Sequence, residues 1–205
     1  MPGGSLPAPD GKRVVPVINR LLQLPFGFRF ATQDWHPPRH VSFASSHRGY
    51  KPKQTLRLDY GPITLWPDHA LRGTKQADLH KKLDMTLIDL VIRKGTRPDA
   101  DGLSAFSEQS GKFRSGLAPF LRERGVRRIF LAGLALDLCV AASAIDAAQE
   151  GFTTYVVDDA CRPSKPGLVE ETRQRLERGN VTVINERDLG ERSVLRSWIG
   201  SLFSG

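Results

Sequence analysis

The hydrophobic positions of this 205-residue chain change their period several times along its length. KRVVPVINRLLQL (12 to 24) spaces its apolar residues as one face of a helix, with Pro16 near the first turn, where proline is tolerated. GFRFAT (27 to 32) reads as a short strand, and LIDLVIR (87 to 93) as a strand of the buried kind. GLAPFLRERG (116 to 125) is a helix stopped by Gly125, and RRIFLAGL (127 to 134) another strand. DLCVAASAIDAAQEG (137 to 151) is alanine-rich and helical, closing at Gly151. TTYVVDDA (153 to 160) is a strand, GLVEETRQRLERG (167 to 179) a helix, and VTVIN (181 to 185) a last strand. From 33 to 85 the chain is rich in Pro, Gly, Ser and His and shows little period.

Strands alternating with helices of about ten or more residues imply crossover connections and a parallel sheet. The expected fold class is α/β: three-layered and Rossmann-like, a mostly parallel sheet with helices on both faces, in one domain over residues 1–190. The remainder, ERSVLRSWIGSLFSG (191 to 205), carries Val194, Leu195, Trp198, Ile199, Leu202 and Phe203 at helical spacing. It reads as an amphipathic tail that packs on the domain or on a partner subunit, which leaves a homo-oligomer open.

Composition adds exclusions. Hydrophobic residues make up 40 % and charged residues 25 %, ordinary for a globular domain. No stretch is apolar for long enough to span a bilayer, and the start lacks a secretory pattern. The 2 cysteines, Cys139 and Cys161, suggest no disulfide framework, so a reduced, cytoplasmic protein without a membrane partner is the default. The net charge of +8 raises nucleic-acid binding. However, RERGVRR (122 to 128) and RQRLER (173 to 178) interleave glutamates and no aromatics, the pattern of a solvated surface; no nucleic-acid partner is expected.

In open parallel sheets, ligands collect outside the carboxyl ends of the strands. Asp34 and His36 follow one strand end, Lys94 another, and Cys139 a third, at the start of its helix. A thiol in a first helical turn meets unpaired backbone N–H groups and the positive end of the helix dipole, and both favour thiolate. The same N–H groups can stabilise an oxyanion. The alternative is a small apolar filler on an alanine-rich helix. Lys94 either reaches a carboxylate or snorkels to water, and Asp137 can cap the helix that follows it. Cys161 has no helix start and reads as structural. Four of the 5 histidines fall between His36 and His69. Asp34, His36 and His69, with His40 close by, suit a divalent metal such as Zn, Fe or Mn, set against the bland reading of solvated loop histidines. His47 and His80 read as surface residues.

Taken together, PGGSLPAPDG, ATQDWHPPRHVSFAS, LWPDHALRGTKQADLH, VIRKG and GLALDLCV, in that order, resemble the nicotinamidase (pyrazinamidase) family of the isochorismatase-like cysteine hydrolases over roughly residues 2 to 185. The resemblance implies an amidase that converts nicotinamide to nicotinate and ammonia through a cysteine thioester, with nicotinamide and pyrazinamide as substrates. It implies Cys139 as nucleophile, Lys94 as the catalytic lysine, and Asp34, His36 and His69 as metal ligands. His40 would be a further or water-bridged ligand. The backbone N–H groups of Ala135 and Cys139 would form an oxyanion hole, with a cis peptide between Leu134 and Ala135. Trp66 would stack on the substrate ring, and Leu134 would line its site. The family's aspartate base lies on a strand just before Pro-Gly-Gly, whereas this sequence opens MPGGSL. The expectation is therefore a natural chain that extends upstream by roughly one strand carrying that aspartate. The sequence as it stands would be poorly stable and catalytically weak or dead. Leu136, Leu103 and Ala70 also depart from the family pattern, which bears on substrate range. The alternatives are a hydrolase of another small amide and a catalytically impaired relative lacking the aspartate.

Overall fold

Val156 and Val157 are neighbours in sequence, and both are almost wholly buried, at 0 % and 1 % exposure. Side chains alternate across a strand, so two such neighbours need a covering layer on each face. Val156 packs with Leu136, Ala144 and Leu176, and Val157 with Leu21, Ala160 and Leu189. That is the three-layer arrangement in miniature.

The computed structural model describes residues 4–108 and 111–190; the tail expected to be amphipathic lies outside the described residues. The strands are β1 (Phe30–Asp34), β2 (Thr55–Leu58), β3 (Gly61–Thr64), β4 (Leu90–Lys94), β5 (Ser107–Glu108), β6 (Phe113–Arg114), β7 (Arg128–Leu134), β8 (Thr153–Arg162) and β9 (Val181–Ile184). The helices are α1 (Val14–Leu22), α2 (Leu117–Glu123), α3 (Ala141–Gln149), α4 (Val169–Arg178) and α5 (Glu186–Gly190). Among them no helix is long and apolar enough to cross a membrane.

The long strands are parallel, as expected, and fall into two groups: β1 pairs with β4, and β7–β8–β9 form a three-stranded group. Helices α1 and α5 cover one face, where Leu21 and Leu189 meet Val157 and Phe130. Helices α2, α3 and α4 cover the other, where Leu117, Leu121 and Ala147 meet Ile129 and Leu176 meets Val156. Gly125 (φ +70°) and Gly151 (φ +89°) take the left-handed conformation just past α2 and α3, where glycine carries no side-chain penalty.

Three expectations shift. β1 and β4 each begin three residues late, because Arg29 and Asp89 leave the ladder to bond each other: Arg29 N–H donates to Asp89 Oδ2 (2.7 Å) and Asp89 N–H to Arg29 O (2.8 Å). The helix expected from 137 opens with a π-turn, Leu136–Val140, in which the N–H groups of Leu138 and Val140 both reach Ala135 O. The stretch from 33 to 85 also contains the antiparallel hairpin β2–β3, whose Leu56, Leu58 and Ile63 build a small separate core with Leu65.

The arginine-rich runs are largely spent on ion pairs. Arg114 and Arg122 both meet Glu150 at 2.7 Å, and Arg173 meets Asp158 at 2.6 Å.

Candidate active site

Parallel pairing places the last residue of β1, Asp34, opposite the last residue of β4, Lys94. Lys94 Nζ lies 2.5 Å from Asp34 Oδ1 and donates to Cys139 Sγ at 3.4 Å. One ammonium thus joins two strand ends to the turn after β7. Lys94 does not snorkel: it is 7 % exposed. Burial alone would lower its pKa, but the charges of Asp34 and Cys139 outweigh this and hold it above the ordinary lysine value. Burial would raise the Asp34 carboxyl, and Lys94 by charge and hydrogen bond brings it below the usual carboxylate range instead.

The helix-start argument expects a lowered cysteine pKa. The Cys139 thiol is instead pushed up, by burial first, with Lys94 pulling the other way. A low-dielectric setting outweighs the dipole of a short turn. Asp137 does not cap the following helix. Its carboxylate accepts from the Ser164 N–H (2.6 Å) and hydroxyl (2.5 Å), while its carbonyl accepts from Arg175 (2.7 Å), so the turn that carries Cys139 is tied to α4 and the segment before it. The Leu134–Ala135 peptide is cis.

The histidines divide by what their ring nitrogens do. His36 Nδ1 bonds Gly95 O and His69 Nδ1 bonds Pro67 O, each at 2.9 Å. A ring that donates from Nδ1 keeps a lone pair on Nε2, the form that ligates metals. Ligand atoms of Asp34, His36 and His69 lie within 4.8 Å of one another. Asp34 Oδ1 is shut off from solvent and, beyond the Lys94 counter-charge, has no partner in hydrogen-bond geometry among the described residues. One carboxylate and two imidazole nitrogens that converge in this way fit a divalent metal. His40 stacks close to His36, with ring centroids 4.3 Å apart, but both its nitrogens are engaged: Nδ1 with Ser42 Oγ (2.8 Å) and Nε2 with Ala100 O (3.1 Å). His40 is fully buried, and burial takes its pKa down to about 3.

Two backbone bridges bring the segments carrying His36 and His69 together. His36 pairs with Leu71 and Phe43 with Trp66, so the loop after β1 is laced to the loop carrying His69. Trp66 is half-buried in that lacing and is fixed by bonds from its N–H to Ser42 O and from Ala44 N–H to its carbonyl. His47 and His80 are half-buried rather than surface residues. His47 Nε2 bonds Val41 O, and His80 Nδ1 accepts from the Lys82 N–H, so each steadies its own loop.

Sequence reasoning passed over Gly95, Ser164 and Asp101. Gly95 sits at φ +62°, and a side chain there would run into the His36 ring. The dipeptide Lys94-Gly95 was the available signal. Nothing in the sequence marks Ser164. Asp101 is pushed up to about 6, by burial first, with the Lys94 charge pulling it back.

Residues 41–188 match the isochorismatase domain, and the chain belongs to that family. Its relatives narrow the likeness. It is 41 % identical over 189 residues to the nicotinamidase of Acinetobacter baylyi, covering 92 % of this chain and 88 % of that protein. The Acinetobacter baumanii nicotinamidase/pyrazinamidase structure superposes with a TM-score of 0.89 at 40 % identity, over 92 % of this chain and 91 % of that one. The pyrazinamidase of Pyrococcus horikoshii, solved in complex with zinc, superposes with a TM-score of 0.69 at 30 % identity, over 90 % of this chain and 92 % of that one.

Proposed function

We propose that this chain is an amidase that hydrolyses nicotinamide to nicotinate and ammonia, using Cys139 as nucleophile. The observation that carries this reading is the contact series from Asp34 through Lys94 to Cys139, set beside two histidines with free Nε2 lone pairs. It is supported by the likeness to nicotinamidases along nine-tenths of the chain.

An unactivated amide needs a strong nucleophile and a stabilised oxyanion. Cys139 Sγ attacks the carboxamide carbon, and its proton must leave as the C–S bond forms, because burial favours the thiol. Lys94, held charged by Asp34, steadies the sulfur as it becomes anionic. The backbone N–H groups of Ala135 and Cys139 receive the developing oxyanion. The C–N bond then breaks, the proton that left the thiol is delivered to the nitrogen, and ammonia departs. Water adds to the thioester, the C–S bond breaks, and nicotinate and the free thiol result. Asp34, His36 and His69 would hold a divalent metal, zinc, iron or manganese, which supplies a Lewis-acid seat for the pyridine nitrogen. His40 would keep those ligand rings in place, serving as a ligand only if it gave up Ala100. Trp66 would stack on the ring and Leu134 line its pocket, so that ring and carboxamide are oriented together.

The test compares ammonia release from nicotinamide and from benzamide, which lacks the ring nitrogen. Nicotinamide should be turned over, benzamide far more slowly, and Cys139→Ala not at all. Equal rates on the two amides would remove the ring-orienting role, and turnover by the Cys139 variant would remove the nucleophile.

A further inference from the structure

The peptide unit between Lys94 and Gly95, where β4 ends, is held at both edges. Trp35 N–H donates to Lys94 O at 2.9 Å, and Gly95 N–H donates to the Glu108 carboxylate at 2.8 Å. A peptide is planar, so the two bonds together fix its orientation. The next peptide carries Gly95 O, the group bonded to His36 Nδ1. Gly95 stands at φ +62°, and a glycine moves between that region and its mirror image at little cost. The aim of the carbonyl on which the His36 ring depends is therefore set by the peptide before it. One edge of that peptide continues the β1–β4 ladder. The other has left the sheet, and Glu108 is what holds it.

The surroundings of Glu108 are shaped for this. Gly102 lies flush against it: a Cβ on Gly102 would come within 2.7 Å of Glu108 Cγ and 2.8 Å of its Cα. Gly102 does not take the left-handed conformation, so the close approach is what requires glycine there. Among the described residues Glu108 joins no ion pair, and its half-buried carboxylate is spent on a backbone N–H. The segment that delivers it stands on α3. Ala105 N–H donates to Ser143 Oγ at 2.9 Å, and Ser107 Oγ donates to Asp146 at 2.6 Å. α3 opens at Ala141, just past Cys139. Glu108 is thus an arm reaching from the helix behind the thiol to the residue behind the His36 ring.

We propose that Glu108 is a positioning residue for the candidate metal site. By clamping the Gly95 N–H it aims Gly95 O at His36 Nδ1, keeps Nε2 of that ring directed toward Asp34 and His69, and holds this seat in register with Cys139. The inference rests on reading Asp34, His36 and His69 as the holders of a divalent metal.

Zinc affinity and the His36 ring proton test it with no turnover read. Glu108→Ala removes the acceptor, whereas Glu108→Gln keeps an oxygen at the same reach without the charge. In competition with a chromogenic chelator, Glu108→Ala should bind zinc about ten-fold more weakly than the parent. Glu108→Gln should stay within about three-fold, since a neutral acceptor keeps the geometry with a weaker bond. In the metal-free chain, the His36 ring N–H signal in nitrogen-15 NMR should broaden by faster exchange in Glu108→Ala, while His69, bonded to Pro67 O, keeps its own. Gly102→Ala pushes Glu108 aside with its carboxylate intact and should weaken zinc by at least about three-fold; it decides the matter if Glu108→Ala does not fold. Parental zinc affinity in folded Glu108→Ala or Gly102→Ala would overturn the proposal. So would a Glu108→Gln variant as weak as Glu108→Ala, or equal broadening of His36 and His69. A parent that binds no zinc would instead remove the metal reading, and the ring signals would still decide whether Glu108 holds His36.

Discussion

β8 and β1 are both strands of a parallel α/β sheet, yet they live in different surroundings. β8 has a neighbour on each side, and Thr154, Val156, Val157, Ala160 and Cys161 are each no more than 2 % exposed. β1 has one neighbour among the described residues, and none of its five residues is buried. Strands of parallel sheets are ordinarily buried on both faces, so the difference measures how much of a strand's burial its lateral neighbours provide. The two halves are consequently held in different ways. The three-stranded half rests on packed aliphatic clusters. The two-stranded half rests on polar links: the Lys94–Asp34 pair, the bonds of His36 and His69 to backbone carbonyls, and the bridges between loops. The candidate site straddles the division, with the thiol on one half and the ammonium and the candidate metal ligands on the other.

Substitutions can break this contrast, and the largest effect should come from the thiol that links the halves. Cys139→Ala should lower kcat by about a thousand-fold or more, with metal content and Tm near those of the parent in elemental analysis and calorimetry. Packing comes next. Leu176, 0 % exposed against the three-stranded half, should cost about 2–5 kcal/mol on truncation to alanine. Val91 of β4, 39 % exposed, should cost about 0.5 kcal/mol or less. Equal losses in urea titrations would mean that the halves do not differ in solution as they do here. Gly95→Ala should displace the His36 ring and weaken zinc binding by about 10- to 100-fold, by analogy with the loss of supporting contacts. A competition titration with a chromogenic chelator reads this directly.

The smallest effect belongs to the exposed pair of Arg20 on α1 and Glu186 on α5, 2.6 Å apart. The hydrogen bond from Arg20 holds the Glu186 carboxyl below its ordinary value of 4.5. A carboxylate depressed in the folded state contributes stability that is present above 4.5 and is lost as the pH falls through the folded value. Arg20→Gln should therefore lower Tm by only about a degree or two at pH 7, and the difference should vanish in strong acid.

Much of this was legible in the sequence because it follows from local period. The β-branched run through TTYVVDD and the helical spacing of VVPVINRLL placed β8 and α1 within a few residues. Strand ends also ranked Asp34, His36, Lys94 and Cys139 correctly as neighbours, since parallel strands bring their carboxyl ends to one edge. What stayed hidden depends on partners far along the chain. The hairpin β2–β3 is only four residues a side with Pro62 inside it, and proline argues against a strand. Ser164 meets Asp137 across 27 positions, and nothing near either residue announces the contact. The engagement of both His40 nitrogens required knowing that Ala100 would lie beside it. The raised Cys139 thiol required knowing how deeply the turn is covered.

The unequal setting of the two cysteines has a practical side. Cys161 is 2 % exposed within an aliphatic cluster, and burial pushes its thiol up to about 12. Cys139 is half-buried and borders the cavity between the sheet halves. To an alkylating dye at neutral pH the chain should behave as though it had a single thiol, since Cys139 is the one the reagent can reach. One fluorophore per chain would then attach without any cysteine being engineered in or out. Its emission colour would report how wet that cavity is, and hence whether anything has filled it.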